Sequence, residues 1–154
     1  MAVYYFDTSA VVKRYVAEIG TAWVSALCQP TAGNTLNLVR ITGAELIAAL
    51  FRRVQVGSLT LADAQIASAR FRGDWRGQYE LVEITESVVN TAMRLAETHT
   101  LRGYDAVQLA AALELQTVRA SFAVPPLTFV CADGRLNAVA SAEGLSVEDP
   151  NLHP

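Results

Sequence analysis

The sequence predicts an α/β fold, a three-layer α/β/α domain with a central parallel sheet of four or five strands. Three observations carry that prediction. Short β-branched and aromatic runs alternate with longer helical patterns along the whole chain, which is the signature of strands joined by helical crossovers. Two of the runs end on an aspartate, Asp7 and Asp133, just ahead of a helical pattern. Hydrophobic residues make up 52% of the 154 positions, enough for one sizeable core at the usual size of a single domain.

Each element follows from its local pattern. Val3 to Phe6 is an apolar strand that stops at Asp7, and Ala10, Val11, Arg14, Tyr15 and Glu18 then fit helical spacing up to Gly20. Thr21 to Cys28 reads as a further helix before the Pro30 to Asn34 loop. Thr35 to Ile41 alternates as a second strand. Ala44 to Val56 is an amphipathic helix closed by Gly57, and another runs from about Leu61 to Trp75. Leu81 to Ile84 is the third strand and Glu86 to Thr98 the next helix. After Gly103-Tyr104-Asp105 comes an alanine-rich segment of high helix propensity. Pro125-Pro126 precedes the fourth strand, LTFVCA, which delivers Asp133. Leu136 to Ala142 forms a last short helix, and Leu145 to Val147 an edge strand. Residues 1–149 thus form one domain and 150–154 a C-terminal tail.

Composition narrows the function. A formal charge of -3 and a pI near 5.3 argue against gripping nucleic acid by a positive field alone. A mean hydropathy of +0.26 suggests apolar surface facing another chain, so a homodimer or a bound partner is expected. Cys28 and Cys131 lie in apolar stretches and point to a reducing, cytoplasmic setting. No signal-peptide order and no membrane-length apolar run is read. His99 and His153 are far apart, and no cysteine pair has zinc-site spacing.

Four carboxylates remain, and each has a plain structural reading. Asp7 suits a helix cap. Glu45, three residues after Thr42, matches a capping box. Asp105 stands in the first turn of a helix, where negative charge is favoured, and Asp133 before Gly134 fits a turn or cap. Together they are harder to dismiss, because in parallel sheets the strand ends and helix starts gather at one edge, where ligands bind. Clustered carboxylates repel and raise one another's pKa. A hard divalent cation, Mg²⁺ or Mn²⁺, relieves that.

The segments YYFDTSAVVKRY, TGAEL, LRGYDAVQLAAAL and FVCADGRLNAVASAEGL resemble PIN-domain ribonucleases, in particular VapC-type toxins of type II toxin-antitoxin pairs. The resemblance spans about residues 3 to 149. It implies a metal-dependent endoribonuclease that hydrolyses RNA phosphodiester bonds with metal-activated water. Asp7 and Asp105 would be the central metal ligands, Glu45 and Asp133 the flanking acids, and Ser9 and Asn137 polar residues just behind them. Cys131 departs from the pattern, since relatives commonly carry a small hydroxyl residue there. The resemblance also implies an RNA substrate and a small antitoxin partner whose tail crosses a groove on the early helices and inserts a basic side chain among the acids.

Other residues are open to two readings. Arg70 to Arg76, with Phe71 and Trp75, suits either RNA stacking or a solvated helix end with buried aromatics. Lys13 and Arg14 suit either phosphate contact or solvent, Arg52 and Arg53 a helix C-terminus. Val12, Val16, Val24, Leu46 and Leu50 suit the core, or a groove for an amphipathic partner helix where they face outward. Two alternative functions stand beside the nuclease. A haloacid-dehalogenase-like phosphatase also ends its first strand on Asp, but expects a second Asp where Ser9 stands. A non-catalytic PIN-like binding module would be marked by a lost acid, and all four are present.

Overall fold

In the computed structural model, which describes residues 1–154, five strands form one sheet. They are β1 (Val3–Phe6), β2 (Thr35–Val39), β3 (Glu80–Val82), β4 (Thr128–Val130) and β5 (Ser146–Glu148), in the order β3-β2-β1-β4-β5. Every neighbouring pair is parallel. Each connection therefore has to return the chain across a face of the sheet, and the helices are those returns.

Tyr5 and Phe6 explain why both faces are covered. Successive strand side chains point to opposite sides, and both residues are fully buried. Tyr5 joins Val39 and Phe129 under α5 (Glu86–His99), α6 (Gly103–Ser121) and α7 (Gly134–Ala142). Phe6 joins Leu36, Leu38 and Val130 under α1 (Thr8–Val11), α2 (Thr21–Leu27), α3 (Thr42–Gln55) and α4 (Leu61–Gly77). Val12, Val24, Leu46 and Leu50 are buried, which settles them as core. No helix is long and apolar enough to cross a membrane.

The strands are shorter than their sequence patterns. β2 stops at Val39 because Arg40 turns out to solvent and Ile41 already has helical dihedrals. After β4 the Cys131 N–H still bonds the Glu148 carbonyl at 3.1 Å, but the chain is turning toward Asp133.

The first helix is the larger departure. Helical spacing runs to Glu18, yet α1 closes at Val11 and a 3₁₀ turn over Val12–Arg14 follows. Residues 10 to 14 are all buried, so no single helical face faces the core. Lys13 and Arg14 are accordingly neither solvated nor available to phosphate. Lys13 Nζ donates to the Ile19 carbonyl and to Asn151 Oδ1, both at 2.9 Å. Arg14 donates to the Tyr79 hydroxyl at 2.8 Å and to Gln78 at 2.6 Å.

The C-terminal residues fold back on the domain. Asp149 caps a 3₁₀ turn over Pro150–Leu152. Asn151 Nδ2 donates to the Ala132 carbonyl at 3.1 Å. The ring of His153 stacks on Trp23 at 4.2 Å between centroids. Gly20, with φ of 88°, lets this turn approach, since a Cβ there would overlap the Pro150 carbonyl.

Candidate active site

β1 ends on Asp7, whose backbone N–H still donates to the Val130 carbonyl at 2.9 Å. The strand ladder thus aims this residue at the carboxyl edge of the sheet. Its side chain is 5% exposed. Oδ2 accepts from the Ser9 N–H at 3.0 Å, the Ser9 hydroxyl at 2.5 Å and the Cys131 thiol at 3.5 Å. Asp7 does cap α1, but that helix has only four residues, and a cap alone does not call for burying a carboxylate. Burial pushes its pKa up, against the lowering effect of the bonds from Ser9 and Cys131.

Glu45 does not form the expected capping box. α3 begins at Thr42, its cap position is Ile41, and no side chain caps it. Thr42 is therefore one residue too far in to serve as the cap. Glu45 instead reaches toward α1 and α6, where its Oε2 accepts from the Thr8 hydroxyl at 2.5 Å and from Gln108 Nε2 at 2.6 Å. Burial raises its pKa, those two bonds oppose the rise, and the charges of Asp7 and Asp105 add to it.

Gln108, which the sequence patterns did not single out, links the two halves of the site. It is buried in α6, and its Nε2 lies 3.0 Å from Thr8 Oγ1 and 2.9 Å from Thr42 Oγ1 as well as beside Glu45. Its Oε1 accepts from the Tyr5 hydroxyl at 3.2 Å. Two amide hydrogens facing three acceptors means that one bond is shared. The available signal was a lone glutamine three residues after Asp105 in an otherwise apolar run, a spacing that puts both on one helix face.

Asp105 stands half-buried in the first turn of α6. Its pKa is raised first by burial, then by the charges of Asp7 and Asp133, while Arg102 and Arg135 pull it down. Asp133 is exposed and caps α7, accepting from the Arg135 and Leu136 N–H groups at 2.9 and 3.2 Å. Of the two polar residues expected behind the acids, Ser9 touches Asp7 directly and also accepts from the Ala132 N–H at 3.0 Å. Asn137 contacts none of the four carboxylates. It holds the Cys131 carbonyl at 2.8 Å and keeps its own Oδ1 buried without a partner. Cys131 is a free, fully buried thiol beside Asp7 and Ser9, which fits a structural role.

The four acids therefore share one electrostatic site at the sheet edge. Every donor is a hard oxygen, and three carboxyls are held above their usual range. No group of three or more Asp, Glu, His or Cys side chains comes together as a metal site. The donors at this edge are carboxylate oxygens, the ligand type of a hard magnesium-like ion that takes one or two carboxylates and keeps its waters, rather than of zinc.

Elsewhere the plain readings hold. Phe71 is buried and Trp75 half-buried, and with Gly43, Ala44, Ile47 and Ala48 they line a groove of about 560 Å³ between α3 and α4. A second cavity of about 440 Å³ continues from it past Ala44 and Ala48 to Thr8, Glu45 and Tyr104. His99 Nε2 meets Glu143 at 2.8 Å, away from the acids.

No family model matches the chain. Two curated proteins, ribonuclease VapC45 and ribonuclease VapC49 of Mycobacterium tuberculosis, are each 34% identical to it over 157 residues, covering both chains in full. Among solved structures, PAE2754 from Pyrobaculum aerophilum has a TM-score of 0.65 at 18% identity, over 98% of this chain and 86% of its own. The FitAcB structure from Neisseria gonorrhoeae has a TM-score of 0.64 at 17% identity, over 96% and 97%. VapBC2 from Rickettsia felis, solved bound to a DNA fragment from its promoter, has a TM-score of 0.62 at 15% identity, over 96% and 98%. These three share the fold.

Proposed function

The chain belongs to the VapC ribonuclease family of PIN-domain proteins, and from that premise we propose that it is a divalent-cation-dependent endoribonuclease, the toxin of a toxin-antitoxin pair. The observation that supports this best is the gathering of Asp7, Glu45, Asp105 and Asp133 at one sheet edge, with Asp7, Glu45 and Asp105 raised in pKa by burial and the latter two also by the charges of neighbouring acids. Asp7 and Asp105 would hold the cation, with Glu45 and Asp133 flanking it. When bound, Mg²⁺ or Mn²⁺ supplies Lewis acidity and positive charge at the scissile phosphate.

The chain's own side chains do the positioning. Ser9 and Cys131 fix the Asp7 carboxylate through three bonds to one oxygen. Thr8 and Gln108 fix Glu45 from two elements. With neither histidine nor lysine among these contacts, the carboxylates are the groups available to take a proton from the attacking water. Ser9 stands where a phosphatase of the haloacid-dehalogenase type needs its second Asp, which disfavours that alternative.

The antitoxin belongs to the same reading. The groove of Ile47, Ala48, Phe71 and Trp75 offers the apolar seat for an amphipathic helix, and its continuation to Glu45 leads a basic tail residue to the acids. Exposed Val118, Phe122 and Val124 supply surface for a homodimer, and buried free thiols suit the cytoplasm.

The test is cleavage of total RNA by the purified protein with Mn²⁺ or EDTA, with cut sites mapped by sequencing. Asp7→Asn is expected to lose at least about a hundredfold in rate while keeping its fold, since a metal-site carboxylate contributes several kcal/mol at the transition state. Wild-type activity in that variant, or cleavage indifferent to EDTA, overturns the reading.

A further inference from the structure

The first turn of α6 separates two cavities at the acidic edge. One, of about 130 Å³, is lined by Arg102, Asp105, Asp133 and Arg135 between Leu101 and Leu136. The other is the 440 Å³ cavity that reaches Tyr104 from Glu45 and Arg52. The smaller cavity has two carboxylates and two guanidinium groups on its walls, yet neither arginine is ion-paired to any carboxylate. Arg135 is instead aimed by a bond of 3.0 Å to the Thr100 carbonyl, which leaves it further N–H donors.

Placement of these arginines works against the helices that carry them. Arg102 is the cap residue of α6 and Arg135 lies in the first turn of α7, where a cation is disfavoured by the helix dipole. α6 has no side-chain cap, so no side chain of the fold satisfies its first N–H groups. Tyr104 is 63% exposed on the same turn. The whole chain carries -3, so this is a local concentration of donors.

Resting on the nuclease reading above, we propose that this turn is the track for single-stranded RNA. Arg102 and Arg135 grip one backbone phosphate, and the exposed face of Tyr104 stacks an unpaired base beside the acids. The pairing of charges is complementary, with the arginines taking the phosphate and the carboxylates the cation that accompanies it. Base stacking on a single aromatic ring needs a base that is already unstacked, which selects single strands or loops over duplex.

The experiment uses the full chain with Mn²⁺ and a fluorogenic single-stranded RNA, over a series of KCl concentrations. Arg102→Ala and Arg135→Lys are each expected to raise KM about tenfold or more, an effect larger than any on kcat, because a charge-assisted contact made before the chemical step is lost or weakened. For Arg102→Ala the slope of log kcat/KM against log salt should flatten by about 0.7, one phosphate contact on a single strand. Tyr104→Ala should raise KM about tenfold with the slope unchanged, and Tyr104→Phe should match wild type. Binding of labelled RNA in EDTA, read by anisotropy, should fall in the same order, and duplex RNA should compete poorly. The Arg102 side chain makes no ion pair within the fold, so a folding defect is not expected in Arg102→Ala. Wild-type KM and slope in Arg102→Ala, a loss in kcat alone, or equal competition by duplex overturns the proposal while the nuclease stands. A wild-type chain that neither cuts nor binds RNA overturns both.

Discussion

Gln108 is the residue on which the geometry of the site turns. It bonds Glu45, Thr8, Thr42 and Tyr5, four groups from three different elements, so its loss strands buried partners rather than removing one contact. Gln108→Leu keeps the volume and deletes the amide. It is expected to cost about 1 to 3 kcal/mol of stability, the penalty for leaving buried polar groups unpaired, and to lower RNA cleavage at least tenfold because Glu45 loses its orientation. Chemical denaturation with an activity assay on the same sample checks both. At this scale the sequence was only partly legible. Asp7, Glu45, Asp105 and Asp133 were readable as carboxylates at strand ends and helix starts, whereas Thr8, Thr42 and Gln108 are ordinary residues in ordinary helices. Their role exists only because α1, α3 and α6 meet, and no local pattern encodes that meeting.

Between α5 and α6 the chain turns through Thr100, a non-glycine residue with φ of 54°. A β-branched residue in that left-handed region is strained by about 1 to 2 kcal/mol, and its side chain is exposed while its carbonyl holds Arg135. Thr100→Gly keeps the carbonyl and removes the strain, so its melting temperature is expected to match or exceed that of wild type, even though Gly normally costs entropy. A drop of several degrees would mean that the threonine side chain is used. Elements were well predicted where pattern and burial agree, as in α3, α5 and α6. The forecast failed over residues 12 to 18, because helical spacing assumes one buried face and Lys13 and Arg14 both turn inward to polar partners. It failed at the Thr42 to Glu45 capping box because the helix starts one residue too early for it.

Across the whole molecule, the central α/β/α architecture follows from alternating strands and helices, but the strand order does not, since every permutation has the same linear pattern. Placing β1 at the centre is what lets Asp7 sit between Glu45 on one side and Asp133 on the other. The electrostatic consequence is measurable. Asp7, Glu45 and Asp105 have folded pKa values raised above their unfolded ones. Without metal, their contribution is therefore favourable below the ordinary carboxylate range and is lost as pH rises through the raised values. The metal-free protein should gain stability on mild acidification. Added Mn²⁺ should raise the melting temperature more at pH 8 than at pH 5, where protons compete for the same oxygens. Asp7→Asn should flatten that difference. A Mn²⁺ effect independent of pH would remove these carboxylates from the binding site.

Lys13 is the chain's single lysine; the other eleven basic residues are arginines. With its amine held by the Ile19 carbonyl, Asn151 and Glu18 and only 5% of the residue exposed, the folded protein hides its one acylable side chain. Treated with an amine-reactive ester under native conditions, it should gain a single adduct, at the exposed amino terminus, and a second only after unfolding. Mass spectrometry of intact and digested protein reads this directly. Any cellular machinery that marks proteins for destruction through lysine would then find no handle on the native fold. Turnover by that route would wait on the opening of the strap that Asn151 fastens.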